Sequence, residues 1–278
     1  MTVPRIAVLL TLAAAGCAKP AVERVEWTAM GTVAAVQTRG AASGEEVAKV
    51  VRTVKAEFAR VEKLLNAHDP DSELSRLAPL PEEDILRRCD ESVRPCYEMA
   101  FDLMRKSGGA FNPRWRGTNT LDLGAIAKGF AVDLAAESVG YPKDYDLLID
   151  LGGNLRSVKG VWRTGVAGTD EVLPLGEGFA LATSAEYYRG KHIYDGRTGK
   201  PVSNKVVSVT VESGRAMVAD GLSTTLFVLG PEEGGRFFTG NRAVPIGSQV
   251  LWQMNDGRSV SLRARAPTSP TGGDIPVE

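Results

Sequence analysis

The chain has 278 residues, 43% hydrophobic and 24% charged, with a formal net charge of −1 at pH 7. That length and balance suit one large globular domain, or two small ones, able to bury a real core. The near-zero charge excludes a general affinity for nucleic acid or anionic lipid through a basic face. No apolar run approaches the roughly 18 residues that a membrane-crossing helix requires.

The first element is a targeting segment. Arg5 supplies the positive start, Ile6–Ala15 the short apolar run, and Ala14-Ala15-Gly16 the small residues before Cys17, a pattern that predicts a removable secretory signal over residues 1–16. A cysteine at that place resembles a bacterial lipobox, whose cysteine is lipidated and becomes the new N-terminus, although Ala14 stands where leucine is usual. The competing reading is a plain cleaved signal with a chance cysteine. Ala18, in place of aspartate, resembles the outer-membrane rather than the inner-membrane sorting pattern. A lipid at Cys17 would hold the protein on a membrane surface, not through it. Residues 17–24 then read as a tether, 25–266 as the folded domain and 267–278 as an unstructured Gly- and Pro-rich tail.

Within the domain, Val25–Met30 and Val33–Thr38 are strand-like around a Met30-Gly31-Thr32 turn. Gly44–Ala67 carries one apolar stripe, Val47, Val50, Val51, Val54, Phe58, Val61, Leu64 and Leu65, at helical spacing. A turn at 66–70 leads to a short helix from Ser72, and Ile85–Lys106 reads as helical with an interruption near Pro95. Cys89 and Cys96, in an exported chain, are free to form a disulfide, and two reduced thiols are the equal alternative. After the Gly108-Gly109 stop comes LDLGAIAKGFAVD at 121–133, in which a turn at Gly124 feeds a helix whose first turn carries Lys128. Free N–H groups at a helix start, joined by an ammonium, favour an anion, although on this stretch alone an ordinary buried Ala/Gly-rich helix with one solvated lysine is the better reading.

Further on, Tyr145–Asp150 is a strand ending in the Gly152-Gly153 turn. Trp162–Ala167, Gly178–Ala182, Val206–Val211, Val250–Met254 and Ser259–Ala264 are further strands, and Ala216–Leu229 is a helix with Asp220 and Thr224 one turn apart on one face. Strands and helices intersperse without strict βαβ alternation, so the class is α+β. Several small-residue turns beside polar groups suggest loops converging on a ligand with phosphates.

Seven blocks, in order, resemble the ApbE family, the FAD:protein FMN transferases of bacterial envelopes. They are Met30-Gly31-Thr32, AHDPDSELSRL at 67–77, LDLGAIAKGFAVD, DLGGN at 150–154, TSAEYYRG at 183–190, HIYDGRTGKP at 192–201 and ADGLSTTLFVLG at 219–230. The resemblance implies a single T-fold-like α+β domain with mixed or antiparallel sheets flanked by helices. It implies FAD as substrate, Mg²⁺ as cofactor, and transfer of FMN to a Thr or Ser hydroxyl of a target protein with release of AMP.

Carried over by motif, the FAD contacts are Met30, His68, Gly109, Ala110, Phe111, Asp122, Lys128 and Tyr194. The metal ligands are the Ala125 carbonyl, Asp220 and Thr224, and the proton-transfer residue is His192. Each has a plain alternative: His192 as a hydrogen-bonded histidine at a strand end, Asp220 and Thr224 as a capping or surface pair. The chemistry fits the roles, since phosphoryl transfer from a pyrophosphate needs charge neutralisation and positioning, oxygen donors suit Mg²⁺, and an imidazole can take the proton of an attacking hydroxyl.

The chain departs from the family at His68, where tyrosine is more usual, at Ser223, where some members have a second aspartate, and at Tyr194, Gly196 and Ala185. The segment between GGAFN and LDLG is also short. The activity expected is protein flavinylation at the cell envelope, periplasm-facing and lipid-anchored. The alternatives are an FAD pyrophosphatase and a non-catalytic FAD-binding lipoprotein. No nucleic-acid partner is expected.

Overall fold

The computed structural model describes residues 21–166, 171–186, 190, 192–241 and 244–265. The signal, Cys17, Tyr187 and Tyr188 of the TSAEYY segment, and the tail from 267 lie outside the described residues.

In chain order the elements are β1 (Val22–Ala29), β2 (Thr32–Gly40), α1 (Gly44–Leu65), α2 (Glu73–Leu77), α3 (Glu82–Arg88), α4 (Arg94–Lys106) and α5 (Ala127–Val139). They continue with β3 (Tyr145–Leu151), β4 (Asn154–Lys159), β5 (Trp162–Gly165), β6 (Val172–Leu175), β7 (Ala180–Ala185), β8 (Tyr194–Asp195) and β9 (Lys200–Pro201). The last are β10 (Val206–Ser213), α6 (Ala216–Gly240), β11 (Gln249–Met254) and β12 (Ser259–Arg263). Among the described residues, eight strands form one sheet in the order β1-β2-β3-β4-β7-β10-β11-β12, antiparallel at every pairing. The expected α+β class holds, and the sheet is antiparallel rather than mixed.

Several boundaries differ from the sequence reading, each for a local reason. The tether expected over 17–24 overlaps β1, because Val22, Glu23 and Arg24 pair with Arg39, Thr38 and Gln37. The helix expected over 85–106 is two helices parted at Cys89–Val93, and Pro95 opens α4 instead of interrupting it, as suits a residue with no N–H to lose in a first turn. The strand expected at 178–182 runs over Ala180–Ala185. Strand β4 follows directly on the Gly152-Gly153 turn, and both of these glycines have positive φ (61° and 88°). Cys89 and Cys96 are free and buried.

Period-two alternation sorts the sheet's faces. Ala34, Val36, Leu147, Ile149, Leu151, Val209 and Val211 face the helices. Leu148 and Leu181 face the other way and are covered by Trp162 and Leu175 of the β5–β6 hairpin. Helix α1 starts in a full capping box, Ser43 with Glu46, and buries the predicted stripe against the sheet and α5. Helix α5 is buried nearly all round, which makes it the central element of the helical layer. Helix α6 packs on α5 and on β7 and β10, and bends at Gly230 (φ 69°) just before Pro231, where proline removes a ladder bond.

Two contacts lock α5 to the start of α6. Helix α6 has no side-chain cap of its own. Asp133, buried on α5, supplies one from outside: Oδ1 accepts the Ala216 N–H (2.9 Å) and Oδ2 the Met217 N–H (3.0 Å). Arg156 lies 2.9 Å from Oδ1 and Arg215 3.4 Å from Oδ2. One turn earlier, Gly129 lets the helices touch. A Cβ there would overlap the Ala216 carbonyl and stand 2.8 Å from Asp220 Cβ.

Asp133→Ala leaves two helix N–H groups unmatched and takes from Arg156 its buried carboxylate partner, although Arg156 keeps the Gly214 carbonyl. The expected outcome is a loss of about 3 kcal/mol of stability, read as a lower urea midpoint at unchanged slope. A loss below about 0.5 kcal/mol, the size of an ordinary surface change, contradicts the capping role.

Candidate functional site

The centre of the site is the loop that enters α5. Leu121, Leu123 and Ile126 are buried and pin the loop to the core, which leaves its backbone facing outward. Asp122 Oδ1 accepts the Gly124 N–H (2.9 Å), and the Ile126 and Ala127 N–H groups both reach Leu123 O. Lys128 donates from Nζ to Gly124 O (2.7 Å), so its ammonium folds back over the loop and stands 3.8 Å from Asp220 Oδ2. The Gly129 N–H, which a continuous helix would aim at the Ala125 carbonyl, donates instead to Asp220 Oδ2 (2.9 Å). The turn therefore releases the Ala125 carbonyl from its ladder partner.

Asp220 is buried. Burial pushes its carboxyl above the ordinary range, while the Lys128 ammonium and the Gly129 N–H pull the other way. The bonds made to Asp220 reach Oδ2, which leaves Oδ1 for a ligand. Thr224, one turn along α6, is partly exposed beside the buried Ser223, and its Oγ1 lies 3.0 Å from Ser184 Oγ.

No group of three or more His, Cys, Asp or Glu side chains suited to a metal occurs among the described residues. The donors here are a freed carbonyl, a carboxylate and a hydroxyl. An all-oxygen set with one charge fits a hard cation that keeps several waters, as Mg²⁺ does. Asp220 and Lys128, and Asp220 and the Ala125 turn, are thus brought together as expected.

A second group of expected residues gathers next to this one. The Gly196 N–H donates to Ala110 O (3.1 Å), and Asn112 Nδ2 donates to Gly196 O (3.1 Å). A Cβ at 196 would stand 2.5 Å from Gly109 O, so glycine seats the 193–201 loop on the 109–112 turn. Phe111 is buried and its N–H bonds Ser107 Oγ (3.0 Å). Tyr194 stacks on Trp115, ring centres 4.0 Å apart and planes 18° apart. Arg116 covers the outer face of Trp115 at 4.5 Å and reaches Asp122 at 3.5 Å, which ties this group to the α5 loop. Arg116 also lines a cleft of about 370 Å³ together with His68, Pro70, Thr120 and Leu121.

Met30 and His192 make their bonds elsewhere. Met30 sits at φ 47° in its turn, with its N–H on Glu62 Oε2 (3.2 Å). His192 is exposed, with Nδ1 2.8 Å from Gly190 O. A carbonyl can only accept, so Nδ1 carries a proton and donates in this contact.

The sequence reading missed Trp115 and Arg116, which fall in the short 113–120 segment outside every motif block. An aromatic next to a cation was the available signal. It also gave no role to Ser184, although that residue lies inside a quoted block.

Comparison with known proteins follows the same lines. The model of the ApbE family matches residues 30–118 and 114–245. Over 135 residues the chain is 36% identical to the FAD:protein FMN transferase of Vibrio cholerae serotype O1, covering 41% of this chain and 40% of that one. Over 181 residues it is 30% identical to the FAD:protein FMN transferase of Rhodobacter capsulatus, covering 56% and 33%. The aligned stretches therefore span less than half the length of these curated relatives.

The fold matches over nearly the whole length. The apo flavinyl transferase ApbE of Pseudomonas stutzeri superposes with a TM-score of 0.69 at 22% identity, covering 90% of this chain and 96% of the other. The ApbE protein of Thermotoga maritima gives 0.70 at 20%, covering 88% and 97%. With a family model matched over most of the domain and the fold matched by solved members over nearly the whole length, the chain belongs to the ApbE family.

Proposed function

We propose that this protein transfers FMN from FAD to a Thr or Ser hydroxyl of another protein, with Mg²⁺ as cofactor and AMP as the released product. The observation that carries this reading is the helix crossing at which the buried Asp220 carboxylate takes the Gly129 N–H and stands 3.8 Å from the Lys128 ammonium, with Thr224 one turn along α6 and the Ala125 carbonyl in the turn before α5. The names of the relatives, FAD:protein FMN transferase, support it.

In this reading the hydroxyl oxygen of the target attacks the FMN-side phosphorus of FAD. The new O–P bond forms as the bond from that phosphorus to the bridging oxygen breaks, and the bridging oxygen leaves with AMP. The hydroxyl proton goes to Nε2 of His192, the ring nitrogen that the Gly190 carbonyl does not engage. Lys128, at the positive end of α5, attracts the negative phosphate oxygens. Bound Mg²⁺ neutralises charge on the pyrophosphate; Asp220, Thr224 and the Ala125 carbonyl would hold it. Asp122, tied to Arg116, and the Trp115–Tyr194 stack offer a planar wall for the flavin or adenine ring, with His68 and Met30 as further contacts.

The lipobox pattern supports a lipid anchor at Cys17 and a periplasm-facing place on the inner or outer membrane. Water in place of the hydroxyl would give the FAD pyrophosphatase reaction, and the exposure of His192 leaves either nucleophile room.

The test is incubation with FAD, Mg²⁺ and a candidate acceptor protein, following AMP and covalent flavin together. AMP with flavinylated acceptor is expected. AMP with free FMN indicates hydrolysis, and bound FAD without AMP indicates a flavin carrier. Two variants test the assignments. Asp220→Ala is expected to abolish Mg²⁺-dependent AMP release, and wild-type turnover would remove Asp220 from the metal site. His192→Ala is expected to slow transfer about 100-fold or more while FAD still binds. An unchanged rate would remove His192 from proton transfer.

A further inference from the structure

We propose that Ser184 is a positioning residue that fixes the proton of the Thr224 hydroxyl, so that Thr224 presents only lone pairs to the cation site. The inference rests on the reading of Asp220 and Thr224 as cation ligands.

Ser223 Oγ lies 2.9 Å from the Asp220 carbonyl oxygen. Two oxygens that close repel unless a hydrogen lies between them, and a carbonyl has none to give, so the Ser223 proton is committed there. Ser184 Oγ lies 2.8 Å from Ser223 Oγ. With the Ser223 proton already placed, the hydrogen in that contact is the one on Ser184. Ser184 Oγ also lies 3.0 Å from Thr224 Oγ1, and with the Ser184 proton spent, the hydrogen there is the one on Thr224. The chain runs one way, from Thr224 to Ser184 to Ser223 to the Asp220 carbonyl, and the carbonyl at its end forbids reversal.

A contrast within the same helix supports this. Thr225 and Thr239 donate to the carbonyls four residues back, at 2.7 and 2.8 Å, the ordinary use of a helical threonine. For Thr224 that carbonyl is Asp220 O, which Ser223 already occupies. Its proton is turned instead toward β7, where Ser184 stands at the strand end next to α6. A hydroxyl whose proton is held on one side is a better ligand for a cation on the other, and partners of this kind govern metal affinity. Ser223, at a place where some family members have an aspartate, thus acts by orientation instead of charge.

The test uses the full chain with Mg²⁺ alone as probe. Melting temperature is followed against Mg²⁺ concentration for wild type, Ser184→Ala, Ser184→Thr and Ser223→Ala, and the Mg²⁺ dependence of AMP release is measured in parallel. Ser184→Ala is expected to raise the half-saturating Mg²⁺ concentration about 10- to 100-fold. Ser184→Thr, which keeps the hydroxyl, is expected to restore it, and Ser223→Ala to give a smaller rise. The melting temperature without Mg²⁺ separates loss of fold from loss of the site.

Wild-type Mg²⁺ affinity in Ser184→Ala, or equal weakness in Ser184→Thr, overturns the proposal. If Ser184→Ala does not fold, unchanged affinity in Ser223→Ala overturns it instead. A wild-type protein indifferent to Mg²⁺ overturns both this proposal and the cation site. Mg²⁺ stabilisation without FMN transfer overturns the proposed function and leaves the role of Ser184 standing.

Discussion

The site depends on one close approach, that of α5 to α6 at Gly129. Only a residue without a Cβ allows the Ala216 carbonyl and Asp220 so near the α5 backbone. That nearness gives the Gly129 N–H to Asp220 Oδ2, and the same bond takes this N–H away from the Ala125 carbonyl. A single contact therefore seats a buried carboxylate, frees a carbonyl and brings the Lys128 ammonium within 3.8 Å. Asp133 holds the crossing in place one turn along by capping a helix that lacks a cap of its own. A buried, paired carboxylate used this way serves orientation as much as stability.

The antiparallel sheet and α1 act as the platform. Burial of the α1 stripe and the inward face of β2, β3 and β10 holds α5 at the centre of the helical layer. The Ala125 carbonyl and the buried Asp220 carboxylate are then held by the helix crossing. This suits phosphoryl transfer, in which the protein supplies placement and charge more than covalent chemistry. The side proposed to meet the flavin is more loosely built. It is a stack of Trp115 on Tyr194 and a half-exposed Arg116, set on turns that lock together through Gly196, Ala110 and Asn112.

Much of this was legible in the residues. The α1 stripe, the Gly124 turn, Lys128 in the first turn of α5, and Asp220 with Thr224 on one face of α6 all follow from spacing. What escaped was whatever depends on partners far apart in the chain. Nothing near Asp133 in sequence reveals its task, because the Ala216 and Met217 N–H groups it caps lie 83 and 84 residues further along the chain. Ser184 looks like one more strand serine until α6 is laid beside it. Strand β4 hid behind a glycine pair that reads as a loop. Pro95 suggested a break where it marks a beginning, because proline is unwelcome inside a helix but welcome at its first turn. Trp115 and Arg116 sit where the chain is shorter than its family pattern, so no motif pointed to them.

The most direct test of the central claim is a crystal grown with Mn²⁺, a stand-in for Mg²⁺ with the same taste for oxygen donors, and read by its anomalous signal. The account predicts one strong peak bounded by the Ala125 carbonyl, Asp220 Oδ1 and Thr224 Oγ1. A peak at any other place, or none with Mn²⁺ in excess, would contradict it.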